Sequence, residues 1–297
     1  MSRWAPPKRL PAQQTGRGHL ERLRRYDLGW KTLLPNPPLR TSDVEAKMTN
    51  TARIGTAGWS IPKQHATAFP GEGSHLERYA RQLPAVEINS SFYRPHMPST
   101  YGRWAASVPA GFQFSVKVPR AITHDRRLVD VEEPLQRFLV EVQELGSKLG
   151  PLLVQLPPNM PYEDARVNGF FAGLRARFEG AVVCEPRHRT WFTDAVDARL
   201  AAFQVARVAA DPAVVPRGAE PGGWPGLVYL RLHGSPKVYY SAYSTEDRLL
   251  TAQRMHAASA AGQECWCIFD NTALGEAAHD ALDVLARLQN RSDLLGG

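Results

Sequence analysis

Cysteine is scarce in this chain, with three residues among 297, and three thiols cannot all pair within one molecule. No secretory signal precedes them, so we expect a reducing, cytoplasmic location. No run of about 18 apolar residues occurs, so the sequence predicts no membrane-spanning helix. A Walker sequence, a Gly-x-Gly-x-x-Gly loop and a Gly-x-Ser-x-Gly elbow are also missing, which removes the common signals for nucleotide binding and for serine hydrolases.

Positive charge is concentrated in the first 50 residues. They contain ten basic and four acidic side chains, a net charge of +6, which leaves +1 of the total of +7 for the other 247 residues. Six prolines and the lack of an apolar period predict a disordered basic extension over 1–50 and one domain over 51–297. Three interpretations of this extension stay open. It binds nucleic acid or a membrane surface, it is a targeting peptide, or translation starts at Met48 and the preceding residues are not part of the protein. A net charge of +1 argues against a large nucleic-acid footprint on the domain.

Short apolar, β-rich runs alternate with amphipathic segments from residue 53 onward. The eight runs cover residues 53–59, 86–93, 112–119, 152–157, 181–187, 205–211, 227–234 and 264–271. Their starts are 22 to 40 residues apart, close to the roughly 30 residues of a strand with its crossover helix. Helix signals follow Ser74, start at Glu132 and follow Ser244. Residues 212–226 contain four Pro and four Gly and predict an irregular crossing.

Eight strand–helix units in about 250 residues predict a (β/α)8 barrel of the TIM type. An open, doubly wound α/β sheet is the alternative, and it would usually contain the phosphate loop that this sequence lacks. In a TIM-type barrel the carboxyl ends of the strands form the active face. We therefore expect the functional side chains late in the strands.

Polar residues gather at these strand ends. Side chains alternate faces along a strand, so Glu185 and Arg187 share one face, as do Arg231 and His233. The opposite faces are apolar and suit contact with helices, so the polar sets are predicted to point into the barrel and to line a polar pocket. The alternative is an internal ion pair, such as Glu185 with Arg231, that only fills the barrel.

Seven motifs, taken in order, resemble the DUF72 or YecE-like family. They are GTAGW at 55–59, VEINSSFY at 86–93, FSVK at 114–117 with ITH at 122–124, LLVQLPP at 152–158, EPRH at 185–188 with Trp191, YLRLHG at 229–234, and FDN at 269–271. The resemblance covers about residues 53–289. It implies a TIM-type barrel and brings no established reaction. Asp270 stands where the family usually has an asparagine, and Pro186 where it has an aromatic residue.

Three cations, Lys117, Arg187 and Arg231, are predicted to face one mouth, which favours a small anionic substrate such as a carboxylate, a phosphate or a sugar derivative. We expect acid–base chemistry there, that is, hydrolysis, isomerisation or elimination, because burial can bring carboxyl and imidazole pKa values toward neutrality. The candidate catalytic residues are Glu185, His233, Lys117 and Asp211. The candidate substrate-binding residues are Trp59, Glu87, Asn89, Tyr93, His124, Gln155, Arg187, His188, Trp191, Arg231, Tyr243, Asp270 and Asn271.

Two other functions stay open from the residues alone. Carboxylates and histidines at strand ends are the ligand types of divalent-metal barrel enzymes of the xylose-isomerase or endonuclease kind. No His-x-x-x-His or paired-Asp spacing occurs, so we assign no metal ligand and predict no cofactor. The same pocket would also serve a protein that binds a metabolite or nucleic acid without turnover. The cysteines are predicted to fill the core, and the oligomeric state is left open.

Overall fold

The computed structural model describes residues 52–290, so the predictions about residues 1–50 and Met48 lie outside the described residues. The strands are β1 (Ala52–Thr56), β2 (Ala85–Ile88), β3 (Gln113–Lys117), β4 (Leu149–Gln155), β5 (Val182–Glu185), β6 (Val205–Arg207), β7 (Ala209–Asp211), β8 (Gly222–Gly223), β9 (Leu227–Leu232) and β10 (Glu264–Phe269). The α-helices are α1 (His75–Ala80), α2 (Pro98–Ala106), α3 (Glu132–Gln143), α4 (Asp164–Arg175), α5 (Asp194–Ala202), α6 (Thr245–Ala260) and α7 (Glu276–Gln289). Within residues 52–290 no helix is long and apolar enough to cross a bilayer.

Two helices begin at the predicted N-caps. The Ser74 side chain accepts a hydrogen bond from Glu77 N, and the Glu77 carboxylate accepts one from Ser74 N. Ser244 and Asp247 repeat this arrangement at the start of α6. Each reciprocal pair satisfies backbone donors that have no partner within a helix, so the local sequence fixes where both helices start.

The strands form two mainly parallel sheets. One sheet has the order β1–β10–β9–β7, and the other has the order β2–β3–β4–β5–β6–β8. The pairings are parallel except for the short antiparallel pairing of β6 with β8. The predicted α/β class is confirmed, whereas a barrel closed by continuous ladders is not detected in residues 52–290.

The sixth predicted strand, 205–211, is divided at Val208 into β6 and β7. Val208 N still donates to Cys184 O on β5 (2.9 Å), whereas β7 pairs with β9. The chain therefore passes from one sheet to the other at this residue. The segment 212–226 is irregular as predicted, with a 3₁₀ turn at Pro216–Ala219 and the short strand β8 in place of an α-helix.

Two strands from different sheets, β1 and β2, lie side by side. Tyr79 of α1 joins them, because its hydroxyl accepts from the last backbone N–H of β1 (2.9 Å) and donates to Ala85 O (3.0 Å). A Cβ at Gly55 would lie 2.1 Å from Ala85 O, so this approach requires glycine. Just beyond, an isolated parallel bridge joins Ala57 to Glu87. Glu87 therefore stands where the two sheets meet.

Apolar side chains form two clusters on opposite faces of the strands. The larger cluster packs strands against helices, and it includes Val86, Val182 and Leu230. The smaller cluster joins the two sheets through residues such as Leu153 and Trp266. All three cysteines are buried, Cys184, Cys265 and Cys267, and each belongs to the larger cluster, which confirms their predicted role as core residues. The inner face of the strands is thus apolar near their amino ends and polar near their carboxyl ends.

Candidate functional site

Six buried polar side chains meet at the carboxyl ends of β2, β4, β5, β9 and β10, and we call them the polar cluster. They are Glu87, Gln155, Glu185, Arg231, His233 and Asp270. Each residue is no more than 9% exposed. Their sequence neighbours Val86, Cys184 and Leu230 pack against helices, so the inward direction predicted from period-two alternation is confirmed.

Arg231 is the central cation of the polar cluster. Its Nη2 lies 2.8 Å from Glu87 Oε1 and 3.0 Å from Asp270 Oδ2, its Nε lies 3.0 Å from Glu87 Oε2, and its Nη1 lies 3.3 Å from Glu185 Oε2. Burial alone would lower the pKa of Arg231, but the three carboxylates raise it well above its usual value. The ion pair between Glu185 and Arg231, stated above as an alternative, is therefore present.

Glu185 is the most heavily engaged carboxylate. Its Oε1 lies 2.5 Å from Arg187 Nη2 and 2.9 Å from His233 Nε2, and its Oε2 accepts from Gln155 Nε2 at 3.0 Å as well as from Arg231. Burial alone would raise the pKa of Glu185, but the surrounding cations hold it well below its usual range. Glu185 is thus an ionised carboxylate with both oxygens occupied, which suits positioning of its neighbours better than proton donation.

His233 is held at both ring nitrogens. Its Nδ1 lies 3.0 Å from Asp270 Oδ2, opposite the contact of Nε2 with Glu185. Arg187 Nη2 also lies 2.7 Å from Nε2. The ring of Tyr239 meets the imidazole edge to face, with 5.7 Å between centroids. His233 therefore has a fixed orientation, and Tyr239, which lies in a loop with no strand period to mark it, was missed by the sequence analysis.

A neutral layer supports the ionised groups. The Tyr229 hydroxyl lies 3.2 Å from Glu87 Oε2 and 2.9 Å from Ser115 Oγ, and all three side chains are fully buried. Burial raises the pKa of Tyr229 well above its usual value, so its hydroxyl stays protonated. Neither Tyr229 nor Ser115 is among the candidate residues predicted from the sequence, although Tyr229 shares its predicted face with Arg231 and His233. Each lies two residues before a candidate on the same strand, Arg231 and Lys117, and that period-two spacing could have found them.

Lys117 differs from every cation in the polar cluster. Within residues 52–290 its amine has no hydrogen-bond or ion-pair partner, although the residue is only 5% exposed. Its Nζ lies 4.1 Å from the centroid of the Phe92 ring. Burial and the nearby Arg231 lower the pKa of Lys117 to about 8, although the carboxylates of the polar cluster oppose the shift. An amine with no protein carboxylate or carbonyl as partner is thus available at the end of β3.

Arg187 is a second cation with a hydrogen-bond donor that has no partner. Its side chain is 20% exposed, Nη2 contacts Glu185 and His233, and Nε has no partner. His124 lies close enough to feel both cations, because burial first and then Lys117 and Arg187 lower its pKa to about 4. Its imidazole packs edge to face on Phe92, with 4.9 Å between centroids. Phe92 therefore contacts both Lys117 and His124.

Asp211 and Tyr243 are not brought to the polar cluster. Asp211 pairs in register with Leu232, whose side chain belongs to the cluster between strands and helices. Its Oδ2 accepts a hydrogen bond from the Tyr243 hydroxyl at 2.7 Å. Both residues line a separate cavity of about 190 Å³ beside α6. Period two, counted across the break at Val208, puts Asp211 on the outer face.

Five further candidates lie around the cluster or away from it. Trp191 is fully buried, and its indole N–H donates to a backbone carbonyl. Trp59 packs against a second tryptophan, and His188 caps the short 3₁₀ turn Arg189–Trp191. Asn271 binds Ser241 O and an aspartate of α7. Tyr93 is 73% exposed.

Asn89 is half-buried after β2, and its Oδ1 has no partner. Hydrogen bonds and ion pairs join the side chains of the polar cluster directly to one another, so these groups already have protein partners. A cavity of about 580 Å³ lies elsewhere, beside the end of β1 and the start of α7, where Ser60, Lys63 and Thr272 line it. Two unpaired atoms near the cluster, Asn89 Oδ1 and Arg187 Nε, belong to residues beside it and not to its six members.

The carboxylates of the polar cluster form ion pairs with cationic side chains of the protein. Within residues 52–290 no group of three or more His, Cys, Asp or Glu side chains is arranged to hold a metal ion. Glu87, Glu185 and Asp270 each contact the Arg231 guanidinium instead.

Comparison with known proteins places the chain among relatives without an assigned reaction. Residues 53–295 match the family model described as protein of unknown function DUF72. The protein UPF0759 YecE of Escherichia coli K12 is 30% identical over 140 residues, 47% of this chain and 49% of that protein. UPF0759 YunF of Bacillus subtilis 168 is 28% identical over 151 residues, 47% of this chain and 52% of that protein. These alignments span about half the length of the curated relatives.

Solved structures share the fold over a longer stretch. A DUF72 family protein from Enterococcus faecalis V583 has a TM-score of 0.68 and 23% identity, covering 80% of this chain and 95% of that one. A DUF72 family protein from Thermotoga maritima MSB8 has a TM-score of 0.66 and 22% identity, covering 80% of this chain and 99% of that one. The resemblance predicted from the seven sequence motifs is confirmed.

Proposed function

The chain belongs to the DUF72 family, and we propose that it is an enzyme that performs acid–base chemistry on a small anionic substrate at the carboxyl ends of its strands. The observation that carries this proposal is the pair of cations beside the polar cluster: within residues 52–290 the Lys117 amine contacts the Phe92 ring and no carboxylate, and the Arg187 guanidinium is 20% exposed with an Nε–H that has no partner. A carboxylate, a phosphate or an acidic sugar derivative would satisfy both donors.

Unsatisfied buried donors are costly, which is why they support a binding function. A buried donor left without a partner costs about 1–3 kcal/mol, and more when it is charged. A chain that required only a stable interior would pair Lys117 with one of the three nearby carboxylates or use an apolar residue instead. The carboxylates are occupied by Arg231, Arg187 and His233, which leaves the Lys117 amine available to a ligand from outside.

In this proposal some groups bind the anionic substrate and others transfer protons. Arg187 would bind the anion, and Lys117, whose pKa is about 8, would exchange protons near neutral pH. Glu185 and His233 would fix Arg187 through their contacts with its Nη2. His124, with a pKa lowered to about 4, would be a neutral imidazole beside both cations.

The proposal also includes closure of the two sheets into one barrel. We infer that the two sheets form one eight-stranded barrel of the TIM type, with β6 and β7 acting as a single broken strand. The Ala57–Glu87 bridge and the contacts of Tyr79 support closure between β1 and β2. Val208 supports closure on the other side. In such a barrel the carboxyl ends of the strands carry the active site. A cytoplasmic location goes with this proposal, since all three thiols are free.

Two experiments on the full-length chain test the proposal. The first measures thermal stability with malonate, phosphate or glucose 6-phosphate at constant ionic strength, with glucose and chloride as controls. A ligand that binds only the folded state stabilises it by about 2.7 kcal/mol at a hundred times its dissociation constant. We expect a shift that disappears in Arg187→Gln and persists in Arg254→Gln, since Arg254 is a half-exposed cation on α6 that pairs with Glu220 and lines the separate cavity beside Asp211.

The second experiment asks whether binding leads to reaction. The same anions are incubated with the protein in deuterium oxide and followed by proton NMR, where loss of a C–H signal or appearance of a product reports proton transfer or turnover. Binding without exchange or product would favour the non-catalytic binding protein. Exchange that requires added Mg²⁺ or Mn²⁺ would favour the divalent-metal enzyme. No anion-dependent shift would overturn the proposal.

A further inference from the structure

We propose that Lys117 is a nucleophile that forms an imine with the carbonyl carbon of its substrate, so that the substrate class is a small anion carrying an aldehyde or ketone. This inference rests on the proposed function, because it assumes that Arg187 holds the anionic end. It adds a covalent step and narrows the ligand from any anion to a keto acid, an aldehyde acid or a carbonyl-bearing phosphate.

The first support is the isolation of the amine. Three carboxylates lie close enough to influence Lys117 electrostatically, Glu87, Glu185 and Asp270, yet none is within hydrogen-bond or ion-pair distance of its Nζ. Arg231 occupies all three and also repels a second cation. A structural lysine would be paired, as Lys148 is, whose Nζ donates to Ala105 O and Val108 O at 2.5 Å each. Lys117 is therefore a free donor atom for chemistry.

The second support is the protonation state. Only the neutral amine attacks a carbonyl carbon. Burial and Arg231 bring the pKa of Lys117 to about 8, which raises the neutral fraction at pH 7 by about 300-fold relative to the ordinary value of 10.5. The 5% of the residue that stays exposed leaves a route for a small molecule.

The third support is the environment of the product. An imine in a protein is usually protonated, so the site must also stabilise a cation at the same nitrogen. The Phe92 ring lies 4.1 Å from Nζ and presents its electron-rich face to that charge. The backbone that carries Lys117 is fixed, because its carbonyl oxygen accepts from Ser91 Oγ at 2.7 Å. The amine is thus aimed from a rigid strand.

The step balances without any further reactant. The nitrogen lone pair forms a C–N bond, the carbonyl π electrons move to oxygen, and a proton passes from nitrogen to that oxygen to give a carbinolamine. Protonation of the hydroxyl then lets it leave as water while the nitrogen lone pair forms the C=N bond. No oxidation occurs, and water reverses the sequence. His124, with a pKa lowered to about 4, is a neutral imidazole on the same Phe92 ring, and we assign it the transfer of these protons.

The test uses glyoxylate, the smallest aldehyde acid, followed by borohydride reduction, which converts an imine to a stable secondary amine. The full-length chain is labelled at pH 7.5 and digested, and the modified lysines are identified by mass spectrometry. We expect Lys117 to be modified at least about tenfold faster than Lys148 and Lys237, because more of it is neutral. The labelling rate of Lys117 should level off above pH 8, whereas that of exposed lysines keeps rising.

Separate controls distinguish failure of this inference from failure of the proposed function. Malonate, which has no carbonyl carbon able to form an imine, reports anion binding alone through the thermal shift described above. A malonate shift without selective labelling of Lys117 would overturn the imine and leave the proposed function standing. Selective labelling of Lys117 without a malonate shift would overturn anion binding, and with it the anionic end of the substrate, and would leave only the nucleophilic lysine. Arg187→Gln should slow Lys117 labelling by about tenfold, the loss of one charge-assisted contact, while Arg254→Gln, at the separate cavity beside α6, should leave it unchanged.

Discussion

Arg231 and Glu87 face each other across 144 residues of chain, joined by two contacts of 2.8 and 3.0 Å between side chains that are both completely buried. The pair closes the gap between β9 of one sheet and β2 of the other. Because the same guanidinium also contacts Glu185 and Asp270, its removal leaves three buried carboxylates without their central cation.

We therefore expect Arg231→Met to lower the free energy of unfolding by about 3–5 kcal/mol, the usual cost of removing one partner from a buried ion pair. Urea unfolding followed by circular dichroism measures it. Arg120→Met breaks an exposed pair with Asp125 and should have little effect. If Arg231→Met proves insoluble, Glu87→Gln, which keeps the shape of the side chain, gives the second measurement. Equal stability of these variants and the wild type would show that the cluster contributes nothing.

Lys117 is predicted to reduce stability. Its pKa is about 8 in the folded chain and about 10.5 when unfolded, so between these values the unfolded state binds more protons and the free energy of unfolding rises with pH. At pH 7 the folded state bears the full penalty. Lys117→Met should raise the free energy of unfolding at pH 7 by about 1–3 kcal/mol. This range is set below the full free energy that corresponds to the pKa shift.

The matched control for Lys117 is Lys148, which makes two hydrogen bonds to backbone carbonyls. Lys148→Met should lower stability, since it leaves those carbonyls unpaired. A higher free energy of unfolding in Lys117→Met and a lower one in Lys148→Met would show that Lys117 reduces stability and is retained for function. A loss of stability in Lys117→Met would contradict the prediction and indicate a structural lysine.

Acid should unfold this protein partly through Glu185 and Asp270. Cations hold the pKa of each below its usual range in the folded chain. Their stabilising contribution is complete above the unfolded pKa of about 4 and is lost as pH falls through the lower folded pKa. We expect the free energy of unfolding to fall steeply below pH 4 and to fall less steeply in Glu185→Gln. Substitution of the exposed Glu179 by glutamine should leave the slope unchanged, and an identical slope in both variants would refute the assignment.

The sequence predicted the inward polar set because period-two alternation is a local rule. Arg231 lies between two apolar residues of β9, and Glu185 follows the apolar Cys184 at the end of β5, so their direction follows from the backbone alone. The Glu185–Arg231 ion pair was one of the predicted alternatives, but the contact of Arg231 with Glu87 could not be predicted, since this 2.8 Å approach depends on how two sheets meet. Nor could the sequence show that Arg231 would take every carboxylate and leave Lys117 without one.

Asp211 shows a local rule that was available and not applied. Counting by two from Val205, whose side chain packs in the cluster between strands and helices, places Asp211 on the outer face, and the break at Val208 leaves that face unchanged. The strand then joins the other sheet, and its register with Leu232 turns Asp211 toward α6. Tyr239 was missed for the opposite reason, since it lies in a loop whose path no periodic pattern describes.

The position of Asp211 leads to the last prediction. Its carboxylate accepts a 2.7 Å hydrogen bond from Tyr243, and the Tyr243 hydroxyl accepts from Gly234 N at 2.9 Å just after β9. Tyr243→Phe removes both contacts from a buried site and should lower the free energy of unfolding by about 1–3 kcal/mol. It should leave the malonate shift and the rate of Lys117 labelling unchanged, because neither Tyr243 nor Asp211 reaches the polar cluster. A variant that folds normally but loses anion binding would place Asp211 back among the functional residues and would require the loop after β9 to move when substrate binds.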